Sequence, residues 1–156
     1  MSPCLVRRLC GGFIVLALLA SAPPQADKPH VKVSVIAILA SERDDKVDPK
    51  LACIAREVRK KNKKLKGFQV VRMTCRSLAV GTPGSFDLVP GQTAAITVQH
   101  GADQDNRVEL KVAPPEMGEI TYDTCCGKFL PIITPLRIQG GDLLILAVRV
   151  QPCHGD

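Results

Sequence analysis

Leu143-Leu144-Ile145-Leu146-Ala147-Val148-Arg149-Val150 is apolar at almost every position. Side chains alternate along an extended chain. Leu144, Leu146, Val148 and Val150 would therefore line one face of a strand, and Leu143, Ile145 and Ala147 the other. A run that is apolar on one face and mostly so on the other predicts the most central strand of the fold. The preceding Gln139-Gly140-Gly141-Asp142 reads as the turn of a final hairpin.

Other segments follow the same two-residue period. Residues 31–39 begin with Val31, Val33 and Val35 alternating with Lys32 and Ser34, then continue as Ile36-Ala37-Ile38-Leu39. That pattern predicts a strand half exposed at its start and buried at its end. Arg107-Val108-Glu109-Leu110-Lys111-Val112 alternates without fault, the mark of one dry and one wet face. In residues 68–76, Val71, Met73 and Cys75 should share one face, with Phe68 and Val70 starting the other. Residues 92–99 form a hairpin with Phe86-Asp87-Leu88 through Pro90-Gly91. Proline fixes the first central φ of a type II turn, and glycine accepts the positive second one. Residues 118–124 are expected as a short edge strand, and Pro131 and Pro135 confine residues 129–138 to an edge or a loop.

One segment switches to a helical period. Asp48 is a good N-cap, Pro49 suits a first helical position, and Leu51, Ile54, Ala55 and Val58 recur at helical spacing. The pattern predicts an amphipathic helix over residues 49–65, stopped by Gly67, with Cys53 away from the apolar stripe. Seven or eight strands with one helix predict an α+β, β-rich fold. Its expected form is an antiparallel sheet or two-layer β-sandwich with one amphipathic helix packed against it.

The N-terminus reads as an address. Arg7 and Arg8 precede Phe13-Ile14-Val15-Leu16-Ala17-Leu18-Leu19-Ala20, and Ala20-Ser21-Ala22 follows, which is the basic, apolar, small-residue order of an export signal. An uncleaved anchor is the alternative, because Pro23 sits directly after the small residues, although the apolar run falls short of the ~20 residues that cross a bilayer. The 156-residue chain thus divides into a signal peptide over 1–22, a short linker over 23–30 and a single exported domain over 31–153. The expected location is secreted, periplasmic or at the cell envelope. Cys4 and Cys10 would leave with the signal, so Cys53, Cys75, Cys125, Cys126 and Cys153 would meet an oxidising compartment. A disulfide from Cys153 to Cys125 or Cys126 is expected, with Cys53 as the free thiol.

The formal net charge is +6, and its densest part is Arg56, Arg59, Lys60, Lys61, Lys63, Lys64 and Lys66. Such a patch attracts polyanions through counterion release. Nucleic acid is a poor partner, because the chain has one tyrosine and no tryptophan for base stacking. Anionic lipid, acidic polysaccharide or an acidic protein surface fits better. No cofactor and no metal is expected, since His30, His100 and His154 are isolated along the chain and no Cys-x-x-Cys or His-x-x-x-His places two ligands on one face. Ser85 lacks a nucleophile elbow, and Glu116, Glu119 and Asp123 read as surface acids in or near a proline-rich loop.

The terminal segment Ile138-Gln139-Gly140-Gly141-Asp142-Leu143-Leu144-Ile145-Leu146 resembles the glycine-turned terminal hairpins of secretins, the outer-membrane pores of bacterial secretion systems. The resemblance implies a hairpin there and no activity. The expectation is a non-enzymatic exported binding or structural module, with a small thiol- or carboxylate-dependent enzyme as the alternative.

Overall fold

The computed structural model describes residues 27–138 and 140–152. The expected signal over 1–22, Gln139 of the final turn, Cys153 and His154 lie outside the described residues. Strands β1 (His30–Ser41) and β8 (Leu143–Pro152) pair antiparallel as the inner strands of a four-stranded sheet. Its edges are β2 (Gly67–Ala79) beside β1 and β7 (Leu130–Arg137) beside β8. A second antiparallel sheet runs in chain order through β3 (Pro83–Val89), β4 (Gln92–His100), β5 (Arg107–Ala113) and β6 (Ile120–Cys125). The fold is thus α+β and β-rich, with two antiparallel sheets and one short helix.

The doubly apolar strands explain the layering. Val31, Val33, Val35 and Ala37 of β1, with Leu144, Leu146, Val148 and Val150 of β8, face the second sheet. There they meet Phe86 and Leu88 of β3, Ile96 and Val98 of β4, and the β5 residues Val108, Leu110 and Val112. The intervening Ile36, Ile38, Leu143, Ile145 and Ala147 face the other way and pack on Ile54, Ala55 and Val58. The first sheet is consequently the middle of three layers, with the helix on its outer face.

Helix α1 spans Ala52–Lys61 after a 3-10 turn over Pro49–Leu51. The Asp48 carboxylate accepts the Lys50 backbone N–H at 2.9 Å, so this end starts where expected. The other end does not reach residue 65. Asn62 is extended, at φ −138 and ψ 95, and its side chain accepts the Lys64 N–H at 3.1 Å. The cause is topological: the Lys66 N–H already bonds the Ser41 carbonyl at 2.8 Å, so the chain must turn back early for β2 to meet β1. Leu65 then drops into the core beneath the helix.

Gly67 is therefore no helix stop. It opens β2, and a Cβ there would lie 2.5 Å from the Asp44 carbonyl oxygen. The 42–48 loop is held this close because the Phe68 N–H bonds the Lys46 carbonyl at 2.8 Å and the Asp48 N–H bonds the Phe68 carbonyl at 2.9 Å. Gly67→Ala is expected to lower stability by about 1–3 kcal/mol, the usual penalty of overpacking against backbone. An unchanged urea midpoint would show that this loop yields freely.

Strand β2 also departs from the expected alternation. Ala37 pairs with Arg72 but Ile38 with Val70, leaving Val71 as the extra residue of a bulge. A one-residue slip exchanges faces. Phe68 and Val70 therefore share a face with Met73 and Cys75 instead of opposing them, because their partners Ala40, Ile38, Ile36 and Ser34 all lie on one face of β1. Cys75 is exposed, with Sγ 3.0 Å from the Ser34 hydroxyl.

Candidate functional site

All seven cations of the basic segment are exposed, and five of them line two separate depressions beside the helix. Arg56, Arg59, Lys60 and Lys63 surround a shallow trough of about 640 Å³ floored by Val47, Ala52 and Ala55. Helical spacing brings Arg56 and Lys60 onto one flank, and the turn after Asn62 leaves Lys63 beside them. Lys61 lies on the opposite flank, along a separate groove. Lys64 and Lys66 line neither depression.

The trough cations differ in freedom. The Arg59 guanidinium donates to the Lys66 carbonyl and lies 5.3 Å from the Phe68 ring centroid, which pins it. Lys60 donates to the Glu57 carboxylate at 2.7 Å. That hydrogen bond, opposed by desolvation and aided by the charges of Lys60, Arg56 and Lys61, draws the Glu57 carboxyl below its ordinary value. Among the described residues Lys60 alone of the seven is in an ion pair. Arg56 and Lys63 thus line the trough without an ion pair among the described residues.

The expected disulfide is not formed among the described residues. Cys53, Cys75, Cys125 and Cys126 are all free. Cys53 is on the helix, Cys75 on an edge strand and Cys125 at the exposed end of β6, and none of them is bonded to another of the described cysteines. Cys126 lies half-buried against the sandwich core, its N–H bonded to the Asn106 carbonyl at 2.8 Å. Cys153, the other expected partner, is outside the described residues. Burial, followed by the charges of Asp103 and Cys125, pushes the Cys126 thiol up, which leaves it a weaker nucleophile.

Other candidates are dispersed. Glu119 pairs with Lys111 at 2.7 Å and Asp123 with Arg107 at 3.9 Å, while Glu116 is exposed at a φ of 56. His100 lies 3.9 Å from Glu109, and His30 and Ser85 are exposed. Asp44, Asp48 and Asp142 line a pocket of about 480 Å³ together with Lys46. Among the described residues no group of three His, Cys, Asp or Glu side chains is placed to hold a metal ion. No helix among them is long and apolar enough to cross a membrane.

Two features escaped the sequence reading. Val47 forms part of the trough floor although it lies in a polar loop, and a parallel bridge to Phe68 places it there. Tyr122 packs against the sandwich core with its hydroxyl buried and lacking a partner among the described residues. Burial pushes its phenol well above the ordinary value. Tyr122 is the sole tyrosine and tryptophan is absent, so tyrosinate absorbance reads this group alone. Its contribution to stability is complete below the unfolded value of about 10 and is lost as pH rises beyond that towards the higher folded value. Tyr122→Phe should remove this alkaline loss and raise stability at neutral pH by about 1 kcal/mol, since the unsatisfied hydroxyl goes. A phenol titrating in the folded protein at its ordinary value would contradict the burial.

Compared with known protein families, curated proteins and solved structures, the chain matches none.

Proposed function

We propose that this chain is an exported, non-enzymatic module that docks on an acidic surface through the trough beside α1. The carrying observation is the convergence of Arg56, Arg59, Lys60 and Lys63 on a floor of small residues, with one carboxylate pair among the four. A concave, under-neutralised cation cluster concentrates anions more strongly than the same charges spread over a convex face. The helix is seated on the middle sheet through Ile54, Ala55 and Val58, which leaves its basic side turned to solvent. The partner classes with suitable chemistry are anionic lipid headgroups, acidic polysaccharide and an acidic protein face. The N-terminal signal-like segment supports an exported setting, in which these surfaces are abundant.

Binding to anionic vesicles and to a sulfated polysaccharide is the direct test. Affinity should fall steadily with added salt as counterions compete. Retention that ignores salt, or equal retention on neutral vesicles and uncharged polysaccharide, would sink the reading.

A further inference from the structure

The opposite flank of α1 carries a second depression that shares no cation with the trough. It runs between the helix and the chain entering β7, with a volume of about 690 Å³, within the range of small-molecule sites. Its apolar wall is Ile54 from the helix with Phe129, Leu130 and Pro131. Phe129, Leu130 and Pro131 are each half-buried, and Leu130 joins neither hydrophobic core. The Phe129 ring is held by the Arg149 guanidinium, 4.5 Å from its centroid. Around this wall stand Lys50, Lys61 and Lys128, none ion-paired among the described residues. Glu57 is the one carboxylate in the lining, and Lys60 already holds it.

From this juxtaposition of an apolar wall and three unpaired lysines we propose that the groove binds a free single-chain amphiphile with one anionic head group, of the fatty carboxylate class. The acyl chain covers the half-exposed Phe129, Leu130 and Pro131, which removes apolar surface from water. The carboxylate meets the lysine rim, where charge complementarity selects an anionic head over a cationic or neutral one. A polar polyanion would leave the wall uncovered, and a neutral apolar molecule would leave the three charges unused.

Cys53 lines the same groove and is free and exposed, so its alkylation reports occupancy. In the full chain, maleimide labelling resolved by peptide mass spectrometry would be followed with dodecanoate below its micellar concentration. Dodecanoate should slow Cys53 several-fold while Cys75 and Cys125, which are outside the groove, label at their original rates. Dodecyltrimethylammonium and dodecanol should protect far less. Lys50→Gln/Lys61→Gln/Lys128→Gln should weaken the dodecanoate effect about tenfold, whereas Arg56→Gln/Lys63→Gln should leave it intact even if binding to acidic surfaces is lost. Equal slowing of all three thiols would signify general adsorption and overturn the proposal. So would equal protection by the cationic amphiphile, protection by anionic vesicles in place of free dodecanoate, or a Cys53 rate that does not respond because another part of the chain fills the groove. The head-group comparison on the unmodified protein keeps the proposal open to refutation should the triple variant fold poorly.

Discussion

Ile145→Ala and Leu146→Ala are each expected to destabilise the protein by about 2–5 kcal/mol, although the two residues are neighbours and point in opposite directions. Both side chains are 0% exposed. Ile145 is in the cluster beneath α1, and Leu146 is in the core between the sheets. In a strand with a solvated face one of two adjacent truncations is tolerated. Strand β4 supplies that contrast within the same molecule: Ile96 is fully buried and Thr93 is exposed. Ile96→Ala should therefore cost about as much as the β8 truncations, whereas Thr93→Ala should stay within about 0.5 kcal/mol. Domains of this size have a total stability of about 5–15 kcal/mol, so the β8 double variant is expected to be largely unfolded at ambient temperature. Urea unfolding of the four single variants decides the matter. A tolerated Ile145→Ala would mean that the helix does not close the outer face of the middle sheet.

The second large effect concerns the trough. Arg56→Gln/Lys60→Gln/Lys63→Gln is expected to weaken binding to anionic vesicles by up to about 3 kcal/mol, on the basis of about 1 kcal/mol per cation near such a surface. Arg59 is left in place because it also bonds the Lys66 carbonyl and stacks on Phe68, so its loss would mix folding with binding. Lys64→Gln/Lys66→Gln removes cations that line neither depression. The triple variant should lose both affinity and salt sensitivity, and the double variant should keep most of each. If the two variants behaved alike, bulk charge and not the concave arrangement would govern attraction, and the trough would have no special role.

Much of this architecture is legible along the chain. The faultless alternation of residues 107–112 becomes β5, with Val108, Leu110 and Val112 all buried. Pro90-Gly91 turns the β3–β4 hairpin, with Gly91 at a φ of 78. The prolines at 131 and 135 sit in β7, an edge strand as their missing N–H groups require. Residues 68–76 were less legible, because an apolar pattern has no marker for the bulge at Val71, which arises where two strands must stay paired. The short helix was misjudged for a related reason. Gly67 reads as its stop, but the Ser41–Lys66 bond turns the chain back and the helix ends at Lys61.

The candidate sites show the same division. Seven cations within eleven consecutive positions, 56–66, are evident from composition, yet their separation into two flanks depends on where the helix lies on the sheet. The groove beside Cys53 combines residues from positions 50–61 with others from 127–131. A linear pattern contains no information about that meeting. The expected disulfide failed similarly: cysteine counts describe supply, and bond formation requires the thiols to converge.

What the sequence by itself determined is the local alphabet of this protein: which residues extend, which segment is helical, which faces are apolar and where the charge is concentrated. These follow from short-range geometry, since side-chain periodicity acts within a few residues. Only the tertiary structure decided the bulge in β2, the early end of α1, the free state of the four described thiols and the two grooves flanking the helix. Each of these is set by contacts between residues far apart in the chain, where packing and strand pairing outweigh local preference.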